Sequence, residues 1–322
     1  MKILIGGGAG YIGSRLIPEL ITLGHEVDVI DLCWFGNHLP KGISVLTKDL
    51  FDISAKDMKG YDQFIFLAGL SNDPMAEYSP AKNFIYNGAL PSYLAYEAKK
   101  AGIKRFIYAS TASVYGYAAD KFHNEEATVS CSYPYGISKL QGERGVSQLQ
   151  DKNFSVISLR QGTVCGYSPR MRFDLIINTM IKAALTTGEI TVNNPAIWRP
   201  IFDIRDAIAA YIKAIEADYS LSGVFNVASG NYTVGEVAEI VKTEIEKITN
   251  KKIAIELKDV KDFRNYRVST EKAQKDLDYN PKYGIKDTVK DVFAHLEEYG
   301  DFSNELFYNI VTFKKFDLTE TS

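Results

Sequence analysis

The chain has 322 residues, 46% of them hydrophobic and 24% charged, with a formal net charge of −3. That length suits one large domain or two modest ones, and a charge this small, without runs of Lys and Arg, argues against a nucleic-acid or membrane partner. Three widely spaced cysteines (Cys33, Cys131, Cys165) argue against a disulfide framework or a metal site and fit a reducing cytoplasm, and no apolar stretch is long enough for a membrane span.

Short apolar runs alternate with helical patterns from the start of the chain. KILI (2–5), EVDVID (26–31), SVLT (44–47), QFIFLAG (63–69), KRFIYAS (104–110) and SVISLR (155–160) read as strands buried on both faces. Helices are predicted between most of them, over 12–23, 79–101 and 134–150. The alternation predicts an α/β fold, a Rossmann-type doubly wound parallel sheet with its ligand beyond the carboxyl ends of the strands. MKILIGGG reads as its buried first strand rather than a leader.

After residue 165 the pattern loosens. Helices over 172–187, 204–218, 233–249 and 285–299, with short strands near 190–193, 224–227 and 253–257, predict a smaller mixed α/β C-terminal substrate lobe. Residues 1–165 would then form the nucleotide-binding core and 166–322 mainly the lobe, which could return segments to the core. The partly apolar tail from residue 300, DFSNELFYNIVTFKKF, is expected to dock on the body or on a partner subunit.

Gly7, Gly10 and Gly13 lie in GGGAGYIG (6–13), directly after the first predicted strand and at the start of a helix. A tight turn there needs a residue that tolerates positive φ, and a pyrophosphate needs close backbone approach and the amides of a helix N-terminus. Asp31 ends the second strand, 21 residues after Gly10. A carboxylate at that distance suits the ribose hydroxyls of an adenosine and repels a 2′-phosphate. DLCWFGN (31–37) holds no Arg or Lys to offset it, which favours NAD over NADP.

YASTASVYG (108–116) comes at the end of the fifth strand, so its hydroxyls, Thr111 above all, point toward the crevice. SYPYGISK (132–139) then starts a helix, with Pro134 at its first turn. Tyr135 and Lys139 are four apart and share one helix face. A free phenol titrates near 10; a neighbouring ammonium favours tyrosinate, and the tuned phenol can remove a hydroxyl proton while hydride leaves the same carbon. The same spacing joins Tyr78 to Lys82 and Tyr96 to Lys100, but the first pair spans Pro80 in a loop, and the second reads as a core-facing tyrosine beside a solvated lysine. Tyr133 has Ile137, not a cation, four residues on.

With GGAGYIG, VID, KDL (48–50), FLAG (66–69), STASVYG, YPYGISK, LRQGTVCG (159–166), WRPIFDIRD (198–206), FNVASG (225–230) and DFRNYRVS (262–269), the chain resembles the extended short-chain dehydrogenase/reductase family of NAD-dependent nucleotide-sugar epimerases and dehydratases. The resemblance implies a cofactor site of Gly7, Gly10, Tyr11, Ile12, Gly13, Asp31, Asp49, Leu50, Leu67, Ala68, Gly69, Asn87, Ser110, Tyr135 and Lys139, with Asn87 supporting the core behind it. It implies Thr111, Tyr135 and Lys139 as the catalytic set, and Thr111, Thr163, Arg172, Asn178, Arg199 and Arg264 around a nucleotide-diphospho-sugar, with no metal. A homodimer through helices near 79–101 and 134–150 is also implied. Arg170, beside Arg172 in SPRMR, is balanced between a diphosphate contact and a surface salt bridge.

Several departures bear on the reaction. Gly6 stands where the family often has Thr, and Thr163 where many epimerases have Asn. Ala112 and Ser113 follow Thr111 where sugar 4,6-dehydratases carry Asp-Glu, and no histidine obviously partners Cys131 or Cys165. The leading expectation is an NAD-dependent nucleotide-sugar epimerase that removes and returns hydride at one carbinol, C4 by family habit. A net 4-dehydrogenase or 4-ketoreductase is the alternative; a 4,6-dehydratase or a non-catalytic NAD-binding scaffold fits less well.

Overall fold

In the computed structural model, which describes residues 1–259 and 264–320, seven parallel strands form one sheet. They are β1 (Lys2–Gly6), β2 (Glu26–Ile30), β3 (Ser44–Leu46), β4 (Gln63–Phe66), β5 (Arg105–Thr111), β6 (Ser155–Gln161) and β7 (Gly223–Val227). Their spatial order is β7-β6-β5-β4-β1-β2-β3. Strand order therefore reverses between β1 and β4, and a doubly wound sheet binds its ligand at that switch point. Every residue of β5 and β6 is buried, as helices on both faces require.

β7 and helix Ile204–Glu216 come from the second half of the chain and complete the first layer. Ala207, Tyr211, Ala214 and Phe225 share one core cluster with Ile3, Ile65, Ile107 and Ile157. Two polar strand residues serve that helix. Gln63 donates from Nε2 to the carbonyl of Ile215 at 2.8 Å. Arg105, fully buried, donates to the carbonyls of Ala214, Ala217 and Asp218 at 3.0, 2.7 and 2.5 Å. The last carbonyls of a helix lack intrahelical partners, so a buried arginine within an apolar strand is here a helix cap.

Helices Ile176–Thr186, Val234–Thr249 and Ile285–Ala294 gather around a second core that includes Phe173, Ile177, Ile190, Val237, Val241 and Val289. A three-stranded sheet (Thr163–Cys165, Trp198–Asp203, Gly230–Thr233) links this lobe to the main sheet. Small parallel pairs join Glu189–Asn193 to Ala254–Lys258 and Tyr117–His123 to Asn265–Val268. Asp262 and Phe263, the first two residues of DFRNYRVS, lie outside the described residues. The tail docks on the body: helix Asn309–Glu320 seats Phe313 among Leu70, Met75 and Trp34.

The predicted helix 79–101 is interrupted by one wide turn, Ile85–Ala89. Pro91 has no amide to give, which favours such a bulge. The bulge turns Asn87 inward, where it accepts from the amide of Leu70 (3.0 Å) and donates to the carbonyl of Leu70 (2.8 Å) and to Asn83 Oδ1 (2.8 Å).

Helix Pro134–Ser147 is locked to the sheet by a buried fork. Arg160 of β6 donates from Nε and Nη2 to Glu143 at 2.9 and 2.7 Å, and from Nη1 to the Tyr115 hydroxyl at 2.8 Å. Removing one partner of a buried pair strands the other charge. Arg160→Met is therefore expected to lower stability by about 3–5 kcal/mol, read as a lower urea midpoint at unchanged slope. A loss below about 1 kcal/mol would mean that water reaches Glu143.

Candidate functional site

A cavity of about 710 Å³ opens at the carboxyl ends of β1, β4 and β5 and runs into the second lobe. Its floor is the glycine turn. Gly7 has φ +81°, and a Cβ there would lie 2.5 Å from the backbone nitrogen of Ala68. A Cβ on Gly13 would lie 2.1 Å from the carbonyl oxygen of Gly8, so only glycine lets helix Gly13–Thr22 start this close to the turn. First-turn amides of a helix have no partner inside it, which makes the turn a cradle for phosphate.

Asp31 stands at the cavity edge with Oδ2 accepting from the amide of Ala9 (2.9 Å) and Oδ1 from that of Cys33 (2.8 Å). Burial pushes its carboxyl above the usual range, while those two amides and the Arg170 charge pull it back. Each carboxylate oxygen keeps a lone pair for a ribose hydroxyl. Arg170 thus supplies a cation near Asp31 from a segment far along the chain, where the local stretch 31–37 has none. Asp49, Leu50, Leu67, Ala68 and Gly69 line the same end, and Tyr11 and Ile12 lie on the wall beside the turn.

Across the cavity stand Thr111, Tyr135 and Lys139. Thr111 ends β5, and its hydroxyl lies close enough to the Tyr135 hydroxyl to favour the phenolate. Lys139 is buried and donates from Nζ to the carbonyl of Ala109 at 2.8 Å. The charge balance differs from the expectation that the lysine tunes the phenol. Burial and then Asp73 push the Tyr135 hydroxyl above its ordinary range, and Arg172 and the Thr111 hydrogen bond pull it down. Lys139 is itself pulled down to about 7 by burial. A dry wall disfavours both charged forms, and the ammonium is spent on a backbone carbonyl.

The rival pairs lie elsewhere. Lys82 pairs with Asp317 at 2.6 Å, and Tyr78 packs edge-on against Phe313, so both hold the C-terminal helix. Tyr96 is 52% exposed with Lys100 over its ring at 5.3 Å, so it is a surface tyrosine and not the core-facing one the sequence suggests. Tyr117 and Lys121 share the spacing too, both exposed on strand Tyr117–His123. Tyr133 precedes the helix under the Arg264 guanidinium, 5.5 Å from its ring centroid.

Of the residues assigned to a sugar nucleotide, Thr163, Arg172, Arg199 and Arg264 line the cavity. Asn178 does not. Fully buried, it accepts from the amide of Gly166 (3.0 Å) and donates to the carbonyl of Arg172 (2.8 Å), so it lies behind the wall that carries Arg172. Gly13 and Asn87 likewise sit behind the wall, as packing and support. Ser110 lies on the wall but gives its hydroxyl to Glu143 at 2.6 Å. Tyr11 reaches away from the turn, donating to the carbonyl of Gly166 at 2.7 Å and so tying the phosphate loop to the second lobe.

Sequence reasoning missed two carboxylates. Asp174 forks Arg172 at 2.9 and 3.0 Å and accepts from Asn72 at 3.0 Å. Asp73 pairs with Arg264. Tyr266, bonded to Ser113 at 3.0 Å, was missed as well. These groups come from segments 190 residues and more apart in the case of Asp73 and Arg264, which no local spacing announces. Only the basic and acidic alternation of PRMRFD hinted at one of them.

A parallel sheet that reverses order beside a glycine turn, with a tyrosine and lysine facing it, defines a dinucleotide-binding oxidoreductase architecture. Residues 3–228 match the model of the NAD dependent epimerase/dehydratase family. The UDP-glucose 4-epimerase of Bacillus subtilis (strain 168) is 25% identical over 325 residues, covering 90% of this chain and 95% of the relative. UDP-glucose 4-epimerase 3 of Oryza sativa subsp. japonica is 28% identical, covering 94% and 92%. MoeE5, solved in complex with UDP-glucuronic acid and NAD, shares the fold with a TM-score of 0.81 at 24% identity, covering 92% and 99%. The chain belongs to the NAD-dependent epimerase/dehydratase family and is an NAD-dependent enzyme of the extended short-chain dehydrogenase/reductase class. Among the described residues no helix is long and apolar enough to cross a membrane, and no cluster of His, Cys, Asp and Glu could hold a metal ion.

Lys139 makes a pH test possible. Its folded value, about 7, lies below the ordinary lysine range near 10.4. Between those limits the unfolded chain holds a proton that the fold does not, so stability rises with pH. In cofactor-stripped protein, wild type is expected to gain on Lys139→Met between pH 7 and 10, by at most about 1.4 kcal/mol per pH unit. Urea midpoints check this, and a flat or falling gap would mean that the lysine stays charged in the fold.

Proposed function

We propose that this enzyme is a nucleotide-sugar epimerase that oxidises and re-reduces one sugar carbinol, at C4. The observation that carries the reading is the convergence of Thr111, Tyr135 and Lys139 on one cavity wall, facing the phosphate turn. Bound NAD supplies a hydride acceptor that can later act as donor. As its phenolate, Tyr135 takes the sugar hydroxyl proton at its phenolic oxygen and gives it back after the keto-sugar has turned over. Thr111, close beside Tyr135, orients the same hydroxyl. Arg172 stabilises the phenolate, because its charge already favours that form. Arg199 and Arg264 are suited to the substrate diphosphate from the far side of the cavity.

Two facts support hydride chemistry over elimination of water. Ala112 and Ser113 follow Thr111, and the two cavity-wall carboxylates Asp73 and Asp174 are each paired with an arginine. The UDP-glucose 4-epimerases among the relatives make UDP-sugars the first substrates to try. The three cysteines are unpaired, which suits a reducing cytoplasm. A homodimer is supported by Phe84, Ile85, Tyr93, Tyr96 and Ile137, all exposed apolar side chains on the two packed helical segments 80–101 and 134–147.

Tyr135→Phe is expected to lower turnover about 10²–10⁴-fold while NAD binding persists. Undiminished turnover would remove the catalytic assignment. Mass spectrometry across nucleotide sugars decides the reaction: unchanged mass with shifted retention for an epimerase, a change of two hydrogens for a net dehydrogenase or ketoreductase, loss of water for a dehydratase. Tyr96→Asp combined with Ile137→Asp is expected to yield monomers in sedimentation velocity, and an unchanged species would move the interface elsewhere.

A further inference from the structure

Arg170 is a buried cation, 2% exposed, on the wall of the cofactor end of the cavity. Among the described residues no carboxylate lies within ion-pair distance of it. A guanidinium has five N–H donors. Here Nη2 donates to Asn309 Oδ1 at 2.5 Å, Nη1 reaches the carbonyl of Met171 only at 3.5 Å, and Nε has no partner. Its flat face lies over the Phe35 ring, 3.7 Å from the centroid, four residues after Asp31. A buried charge without a counter-ion is costly, and burial, then the charge of Arg172, draw this guanidinium down to about 9. The site is built for an anion that no described residue provides within ion-pair distance.

Asn309 begins the C-terminal helix and knits this corner together. Its Oδ1 accepts from Arg170 and its Nδ2 donates to Ser71 Oγ at 2.7 Å, and its backbone amide helps hold the Asp174 carboxyl, which forks Arg172, below the usual range. The helix behind it is held by Trp34, which stacks on Phe313 and Phe316 with centroids 6.1 and 5.2 Å apart, and by the Lys82–Asp317 pair. Trp34 and Phe35 belong to the loop that follows Asp31, so the tail grips the adenosine edge of the cleft directly.

We propose that the C-terminal helix is part of the dinucleotide site: Asn309 is a positioning residue that holds the Arg170 guanidinium against the diphosphate of the bound cofactor. The inference rests on reading this cleft as the cofactor site. Position selects the cofactor's diphosphate over the substrate's, because Arg170 shares its wall with Asp31 and Phe35, whereas Arg172 is the arginine that acts on Tyr135. The 2′-position of the adenosine is disfavoured as the source of the anion by the Asp31 carboxylate.

The test is calorimetry on the full, cofactor-stripped chain with ADP, adenosine and UDP, none of which needs turnover. A failed epimerase reading therefore leaves it intact. Asn309→Ala and Arg170→Lys are each expected to weaken ADP by about tenfold or more, with adenosine unchanged and UDP unaffected. In the Arg170→Lys background, Asn309→Ala adds nothing further, because the two act as one unit. A purely structural role would weaken adenosine equally. Equal loss for ADP and adenosine, loss confined to UDP, or ADP binding within about twofold of wild type would each overturn the proposal. Should Asn309→Ala lose its cooperative thermal transition, Arg170→Lys alone decides between these outcomes.

Discussion

Everything in the catalytic wall depends on how closely helix Pro134–Ser147 lies against its neighbours. A Cβ on Gly142 would come within 2.3 Å of the carbonyl oxygen of Asn87, and one on Gly145 within 2.0 Å of the Ser92 hydroxyl. The helix is therefore flush with strand β5 and with helix Leu90–Ala101. Only at that spacing can Lys139 reach the carbonyl of Ala109 and Tyr135 reach Thr111. Close approach also removes water, so a lysine and a phenol that would titrate near 10 in solution are held in a medium that resists charging either. The Glu143–Arg160 fork keeps the helix there despite the desolvation penalty of burying both ions.

Charge in the cleft is organised around that dry wall. Arg172 is neutralised by Asp174 and Arg264 by Asp73, so the substrate end carries arginines whose charge is balanced within the protein. The cofactor end carries Arg170, balanced by no carboxylate among the described residues. The tail sits at the cofactor end, where Asn309 accepts from Arg170 and donates to Ser71. Tyr11 links the phosphate turn to Gly166.

The amino-acid sequence by itself determined the parallel sheet, the phosphate turn and the Thr111–Tyr135–Lys139 placement. Each of these is local: a run of apolar residues, glycines at fixed spacing, or two side chains one helical turn apart. It could also exclude the decoy pairs at Tyr78 and Tyr96, though it misjudged Tyr96, because amphipathic helices can leave aromatic side chains exposed. Tertiary structure alone decided the rest. Strand β7 and helix Ile204–Glu216 join the first layer because their apolar faces complete its core, not because of any signal near residue 165. Asn178 became part of the scaffold, Asp73 and Asp174 became counter-ions, and the C-terminal tail became a wall of the cavity. Pairings of this kind join residues far apart in sequence, and their strength comes from burial and geometry that no spacing along the chain encodes.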